Sequence, residues 1–176
     1  LAVYNLGIDT QAYKDLASLV AENGISKVPI THPPGYLIYL SVFFRYLLKP
    51  VLAVKMANVV MLLCLAGMTF FLGRKLFNRN VGIVAATFIA FSAPLSSYAA
   101  TLQYEVFAAF LTTASILLFY SAWTRDQSKR GTGLWCCAGF ILSLATLSRE
   151  TSALWLFSLL SGLAFSKYVL REKMRI

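Results

Sequence analysis

The stretch from Val51 to Gly73 carries no charge after Lys55 and closes at Arg74-Lys75. A helix over it is long enough to cross the roughly 30 Å hydrocarbon core of a bilayer, and Lys55, near one end, can stretch its ammonium back to the surface. This run reads as a membrane span, and it sets the terms for the rest of the chain. With 59% hydrophobic and 13% charged residues and a mean hydropathy of +0.69, the sequence is far more apolar than a soluble domain. The expected class is all-α, a polytopic transmembrane helical bundle.

Further apolar runs follow. Val81 to Ser97 carries Gly82, Ala86 and Ala90 four residues apart, a small-residue stripe that lets a neighbouring helix approach closely, with Pro94 near its far end. Val106 to Trp123 is a third span. Gly133 to Ser148 and Thr151 to Ser166 are separated only by Arg149-Glu150. As one helix they would run about 50 Å, so a helical hairpin with the ion pair at its tip is expected. The predicted organisation is an outer-face segment over residues 1–50 and a bundle of about five spans over 51–176 (51–73, 81–97, 106–123, 133–148 and 151–166). The chain opens on Leu1, and Leu1 to Gly7 is too short to span, so a fragment of a longer chain is expected, with an anchoring segment upstream.

The net charge of +9 invites a nucleic-acid reading, which needs the basic residues on one exposed face. They are arranged otherwise. Arg74, Lys75 and Arg79, then Arg125, Lys129 and Arg130, then Lys167, Arg171, Lys173 and Arg175 make up ten of the sixteen and fall in short gaps between apolar runs. That is the pattern of cytoplasmic loops in a plasma or inner membrane, and no nucleic-acid partner is expected. Cys64, Cys136 and Cys137 have no spacing suggestive of a disulfide framework or zinc site and read as packing residues.

Asp9 to Tyr36 is the one long part that is neither bilayer-apolar nor a short loop. Tyr13, Leu16, Ala17 and Val20 fall at helical spacing with Gln11, Lys14, Asp15, Ser18 and Glu22 on the other face, which predicts an amphipathic helix of about three turns ending at Asn23-Gly24. His32-Pro33-Pro34-Gly35 is expected to be extended, turning at the glycine, and Tyr36 to Leu48 to lie in the interface, since its thirteen residues rise only about 20 Å. If the basic clusters are cytoplasmic, this segment is extracytoplasmic. Asp9, Asp15, Glu22, Glu105 and Glu150, five of the seven acidic residues, then share one face.

Each candidate has two readings. Asp9 can accept a proton from a hydroxyl nucleophile or hold a divalent cation such as Mg or Mn, yet aspartate is also a favoured N-cap, and Asp9 or Thr10 sits where this helix needs one. Glu105 opens a span, where ionisable residues are costly; it is equally a solvated carboxylate at a helix N-terminus. The Arg149 guanidinium can bind a phosphate while Glu150 orients it, or the two can neutralise each other in a turn. His32 can donate to a phosphate, ligate a metal or be a plain loop residue. Tyr36, Tyr98, Tyr104, Trp123 and Tyr168 read first as interfacial anchors.

Asp9-Thr10 followed by Tyr13 and a short amphipathic helix, then Pro33-Pro34, then a span ending Leu72-Gly73-Arg74-Lys75-Leu76-Phe77, resembles the N-terminal half of family 39 glycosyltransferases. These GT-C fold enzymes include protein O-mannosyltransferases and the aminoarabinose transferases of lipid A. Gln103-Tyr104-Glu105 and Leu147-Ser148-Arg149-Glu150-Thr151-Ser152 resemble further stations of those proteins. The resemblance implies sugar transfer, with inversion, from a polyprenyl-phosphate carrier to a hydroxyl acceptor at the outer membrane face. It implies Asp9 as general base, Glu105 as a second acidic position, and Arg149 and His32 as stabilisers of the departing lipid phosphate, with Glu150 and Tyr13 in support. Thr10 stands where many relatives have Glu, and His32 where many have Lys. The expected upstream span and C-terminal half are missing, so the piece alone is expected to be inactive. A rival from another class is a non-catalytic GT-C-like subunit packed on a larger membrane complex, through the Gly82, Ala86, Ala90 face.

Overall fold

The computed structural model describes the backbone of residues 2–25, 32–124, 129–152 and 154, and the side chains of 10–25, 32–124, 133–149, 151, 152 and 154. All regular structure among the described residues is helical: α1 (Ala2–Asn23), α2 (Pro34–Tyr46), α3 (Pro50–Leu76), α4 (Arg79–Ala90), α5 (Ala93–Ala99), α6 (Glu105–Trp123), α7 (Lys129–Ser148) and a closing 3-10 turn (Glu150–Ser152). Two helices, α3 and α6, are long and apolar enough to cross a membrane, and α4 with α5 makes a third candidate as one bent pair. The protein is an integral membrane helical bundle.

The amphipathic helix starts earlier than its polar pattern suggests. Ala2 to Ile8 contain no helix breaker beyond Gly7, which costs only about 1 kcal/mol, so the helix runs from Ala2 and Asp9 lies inside it. Asp9 is therefore not an N-cap. The other end is as expected: Gly24 is left-handed (φ +78°) and its N–H donates to the Val20 carbonyl at 2.9 Å. The buried face is Tyr13, Ala17 and Val20, one helical stripe.

Gly35 is not a turn. Pro33 caps α2 and Pro34 occupies its first turn, where a missing N–H costs no helical hydrogen bond, so Gly35 is already helical. What glycine provides there is proximity, because a Cβ would lie 2.7 Å from Ser148 Oγ and 3.0 Å from the Leu147 carbonyl carbon on α7. The run from Val81 to Ser97 is likewise not one straight helix. It breaks at Phe91-Ser92, and α5 leaves α4 at 53° with Pro94 in its first turn. Proline cannot donate the backbone bond that would carry α4 onward. Asn78 caps α4, its Oδ1 accepting from the Val81 N–H at 2.9 Å.

Contacts at the helix ends fix the bundle's direction. Near its start α3 meets the loop before α6, where Asn58 Nδ2 donates to the Thr101 carbonyl at 3.2 Å. Near its finish it meets the end of α6, where the Tyr120 hydroxyl donates to the Lys75 carbonyl at 3.3 Å and the Lys75 ammonium lies 5.7 Å from the Tyr120 ring centre. Thus α3 and α6 run parallel. The α4 start packs on the α3 finish at Gly82 and Gly73, and Trp135 near the α7 start packs on Phe119 and Trp123. Consequently α4 with α5, and then α7, return to the first end. Arg74, Lys75, Arg79 and the start of α7 share one end of the bundle; α1, α2, Glu105 and the α7 terminus share the other.

Three further expectations change. Cys64, Cys136 and Cys137 are exposed on the chain's own surface rather than packed inside. Of the small-residue stripe, Gly82 is buried against α3, Ala86 is half-buried and Ala90 is exposed. Tyr36, read as an interfacial anchor, is fully buried. The expected span 151–166 lies outside the described residues beyond its first turn, as do the third basic cluster and Tyr168.

Candidate functional site

The core between α1, α2, α3 and the α6 entry is built from Tyr13, Ala17, Tyr36, Leu37, Leu40, Val54 and Leu102. Aromatic rings form its outer wall. Tyr13 is 3% exposed and meets three rings edge-on: His32 at 4.7 Å between centres, Tyr36 at 5.3 Å and Tyr104 at 6.3 Å. Tyr36 also meets Tyr104 at 6.4 Å, and Tyr39 stacks on Phe107 of α6 at 4.5 Å. Edge-to-face pairs at these distances each add about 0.5–1.5 kcal/mol to the burial. They tie α1 and His32 to the start of α6.

Charged groups attach to that wall. The Arg149 guanidinium carbon lies 6.0 Å from the Tyr104 ring centre, reaching over from the end of α7. Glu105 is the first residue of α6, and its Oε2 is shut off from solvent. Its carboxylate is near enough to the Tyr36 phenol to oppose its ionisation. Burial is the main cause that pushes the Tyr36 phenol far above its ordinary value; the Asn58 amide beside it acts the other way, and Tyr39, Tyr13 and Glu105 add to the rise. Tyr39, raised by burial, reaches about 12. Both phenols are therefore neutral across the physiological range, present as hydroxyls rather than charges.

Of the residues singled out in the sequence, Tyr13, His32, Glu105 and Arg149 gather around the Tyr13–Tyr36–Tyr104 rings. Asp9 belongs to α1 one turn before Tyr13, which puts its backbone at the same end; its side chain lies outside the described residues. The same holds for Glu150, whose backbone opens the turn after Arg149. Among the described residues no three of His, Cys, Asp and Glu come together. Asp9, which the sequence pairs with Glu105 for a divalent cation, has its side chain outside the described residues, and no step is assigned to a metal.

Sequence reasoning missed a polar set behind the rings. Asn58 is fully buried inside the α3 span, and Gln103 is 5% exposed. Gln103 Nε2 and the Tyr39 hydroxyl are enclosed without a hydrogen-bond partner among the described residues, and Asn58 Oδ1 and the Tyr36 hydroxyl are enclosed beside each other, an Asn58 amide hydrogen being given to Thr101. Enclosed polar atoms without partners are rare in a finished core, because each costs about 1–3 kcal/mol. The signal for Asn58 was available, as an amide in the first third of an apolar run.

An all-helical bundle with membrane-length apolar helices and an aromatic, partly charged cluster at one end defines a polytopic membrane protein. The model of the family described as dolichyl-phosphate-mannose-protein mannosyltransferase matches residues 31–175, and the chain belongs to that family, whose members are glycosyltransferases of the GT-C type. No curated protein and no solved structure matches the chain. His32, Glu105, Arg149 and Glu150 fall within the matched region, whereas Asp9 and Tyr13 on α1 precede it.

Proposed function

We propose that this chain carries the donor-side site of an inverting glycosyltransferase that moves a sugar from a polyprenyl-phosphate carrier to a hydroxyl acceptor at the outer membrane face. The observation that carries the proposal is the gathering of Tyr13, His32, Glu105 and Arg149 at the bundle end opposite Arg74, Lys75 and Arg79. With the basic end cytoplasmic, that site faces outward, where a lipid carrier can enter sideways from the bilayer.

Sugar transfer of this kind breaks the bond between the anomeric carbon and the phosphate oxygen as the acceptor oxygen attacks from the opposite side. The phosphate takes up charge as it leaves, and a cation beside it lowers the barrier. Arg149 has that role, with His32 across the ring cluster as a hydrogen-bond donor to the phosphate. A carboxylate removes the acceptor's proton, and Asp9 is assigned as this base, with Glu105 as the second acidic group and Glu150 and Tyr13 in support. The family match supports glycosyl transfer; the carrier and the individual roles are our reading. The test is transfer by the full-length protein from a polyprenyl-phosphate sugar to a hydroxyl acceptor. Asp9→Asn is expected to slow transfer about 10²–10⁴-fold. An unchanged rate sinks the assignment of the base, and a wild-type protein inert toward every such donor sinks the donor class.

A further inference from the structure

Three lysines stand apart from the basic end. Lys14 on α1, Lys49 at the α2–α3 turn and Lys55 on α3 line one open groove of about 440 Å³, whose apolar side is Phe44, Val51 and Leu52. The retention of positive loops inside the cell accounts for Arg74, Lys75 and Arg79, but gives no reason for three ammonium groups at the opposite end. Among the described residues none of the three is in an ion pair and no carboxylate lines the groove.

The groove's position identifies its occupant. Because α3 spans the bilayer, its start lies at the membrane surface. Lys49 caps the helix, and Lys55 is about 9 Å further along it, at the depth of the boundary between head groups and acyl chains. Lys49 at the helix boundary, and Lys55 by stretching its stem back toward the surface, can reach a phosphate there, while Phe44, Val51 and Leu52 supply the apolar side of the groove. Along α2 Phe44 lies about 12 Å from Tyr36, and with Val51 it packs against the core that holds Tyr13 and Tyr36, so the groove backs onto the ring cluster and is lined by none of its rings.

We infer that this groove is a binding site for a bilayer phospholipid with an anionic head group, its phosphate held by Lys14, Lys49 and Lys55 and one acyl chain laid against Phe44, Val51 and Leu52. The inference does not depend on the proposed transferase roles. A bound lipid of this kind would hold α1 against the α2–α3 turn, two elements whose own mutual contact includes no ion pair among the described residues.

The experiment is native mass spectrometry of the full-length protein titrated separately with phosphatidylglycerol, phosphatidylcholine and inorganic phosphate. Wild-type protein is expected to retain phosphatidylglycerol about 10²-fold over phosphatidylcholine, about fivefold for each of the three lysines. The combination Lys14→Gln, Lys49→Gln and Lys55→Gln should erase that preference, at about fivefold for each charge removed. The matching Lys→Arg combination should keep it. Should the triple Gln variant fail to fold, Lys49→Gln alone at the helix boundary reads the same loss of about fivefold. Equal retention of both lipids, full retention by the Gln variant, loss in the Arg variant, or displacement of the lipid by an equal concentration of inorganic phosphate would each overturn the inference.

Discussion

Arg149 at the end of α7 lies over the ring of Tyr104, 6.0 Å from its centre, and Tyr104 is the residue immediately before Glu105. One ring thus links a cation brought by α7 to a carboxylate that opens α6. If Arg149 stabilises the leaving phosphate, Arg149→Ala should lower kcat/KM for the lipid-linked sugar about 10²-fold. Tyr104→Leu keeps the guanidinium but removes its seat, and a loss of about two- to fivefold is expected, with Tyr104→Phe close to wild type. Equal activity for Arg149→Ala and wild type would remove Arg149 from the site.

Close backbone approach gives a prediction on stability. A Cβ on Gly82 would lie 2.7 Å from the Phe70 carbonyl oxygen and 3.0 Å from the Arg74 nitrogen, both backbone atoms that cannot swing aside. Gly82→Ala should therefore push α4 off α3 at a cost of about 1–3 kcal/mol, seen as a lower unfolding temperature in detergent. Gly67→Ala on the same α3 has open space around its Cβ and should be neutral or slightly stabilising. A Gly82→Ala variant as stable as Gly67→Ala would contradict the packing described.

Gly35 repeats the theme nearer the site. A methyl group there meets Ser148 Oγ and the Leu147 backbone one or two residues before Arg149. Gly35→Ala should shift the α7 terminus and reduce transfer more than it reduces stability. The comparison to make is activity against unfolding temperature for Gly35→Ala and Gly82→Ala. If the former loses both in the same proportion as the latter, Gly35 is packing alone.

These contacts also mark what the sequence could and could not tell. The spans at α3 and α6 were legible because a bilayer filters composition so strongly, and the basic gaps ordered the ends. The Tyr13, Ala17, Val20 stripe was legible from its spacing. Gly35 was misread because glycine after two prolines is locally indistinguishable from a turn; only the helix arriving from far along the chain shows why it is small. The start of α1 was misread because Asp9 looks like a cap when the residues before it are apolar and unpatterned. Tyr36 looked like a surface anchor because burial depends on α1 and α6 closing over it, which no local pattern records.

The raised phenols make a prediction on pH. Tyr39 ionises at about 12 in the folded protein against 10.0 unfolded, so the unfolded state loses its proton first. The contribution is therefore fully present below pH 10 and is lost as pH rises from there toward 12. Tyr36 titrates later still. Denaturant unfolding followed across this window should show falling stability, and Tyr39→Phe should flatten part of the fall. A phenolate absorbance change from every tyrosine near pH 10 in the folded protein would refute the burial of this pair.

Asn58 joins the buried span to the site. Its amide donates to the Thr101 carbonyl, and Thr101 begins the short segment that runs through Gln103 and Tyr104 to Glu105. A side chain fixed on the rigid α3 helix thereby holds the loop that presents the carboxylate. In a membrane protein one such hydrogen bond contributes about 0.6 kcal/mol and seldom more than 1.7, so Asn58→Leu should lower stability only slightly. Its effect on transfer should be larger, because a displacement of about 1 Å at a reacting group can cost about 10²-fold. Asn58→Asp should be worse on both counts, since it replaces the donor with a carboxylate buried against a carbonyl oxygen. The decisive measurement is kcat beside unfolding temperature for the two variants: a stable Asn58→Leu protein with wild-type kcat would show that the loop holds its place without this bond.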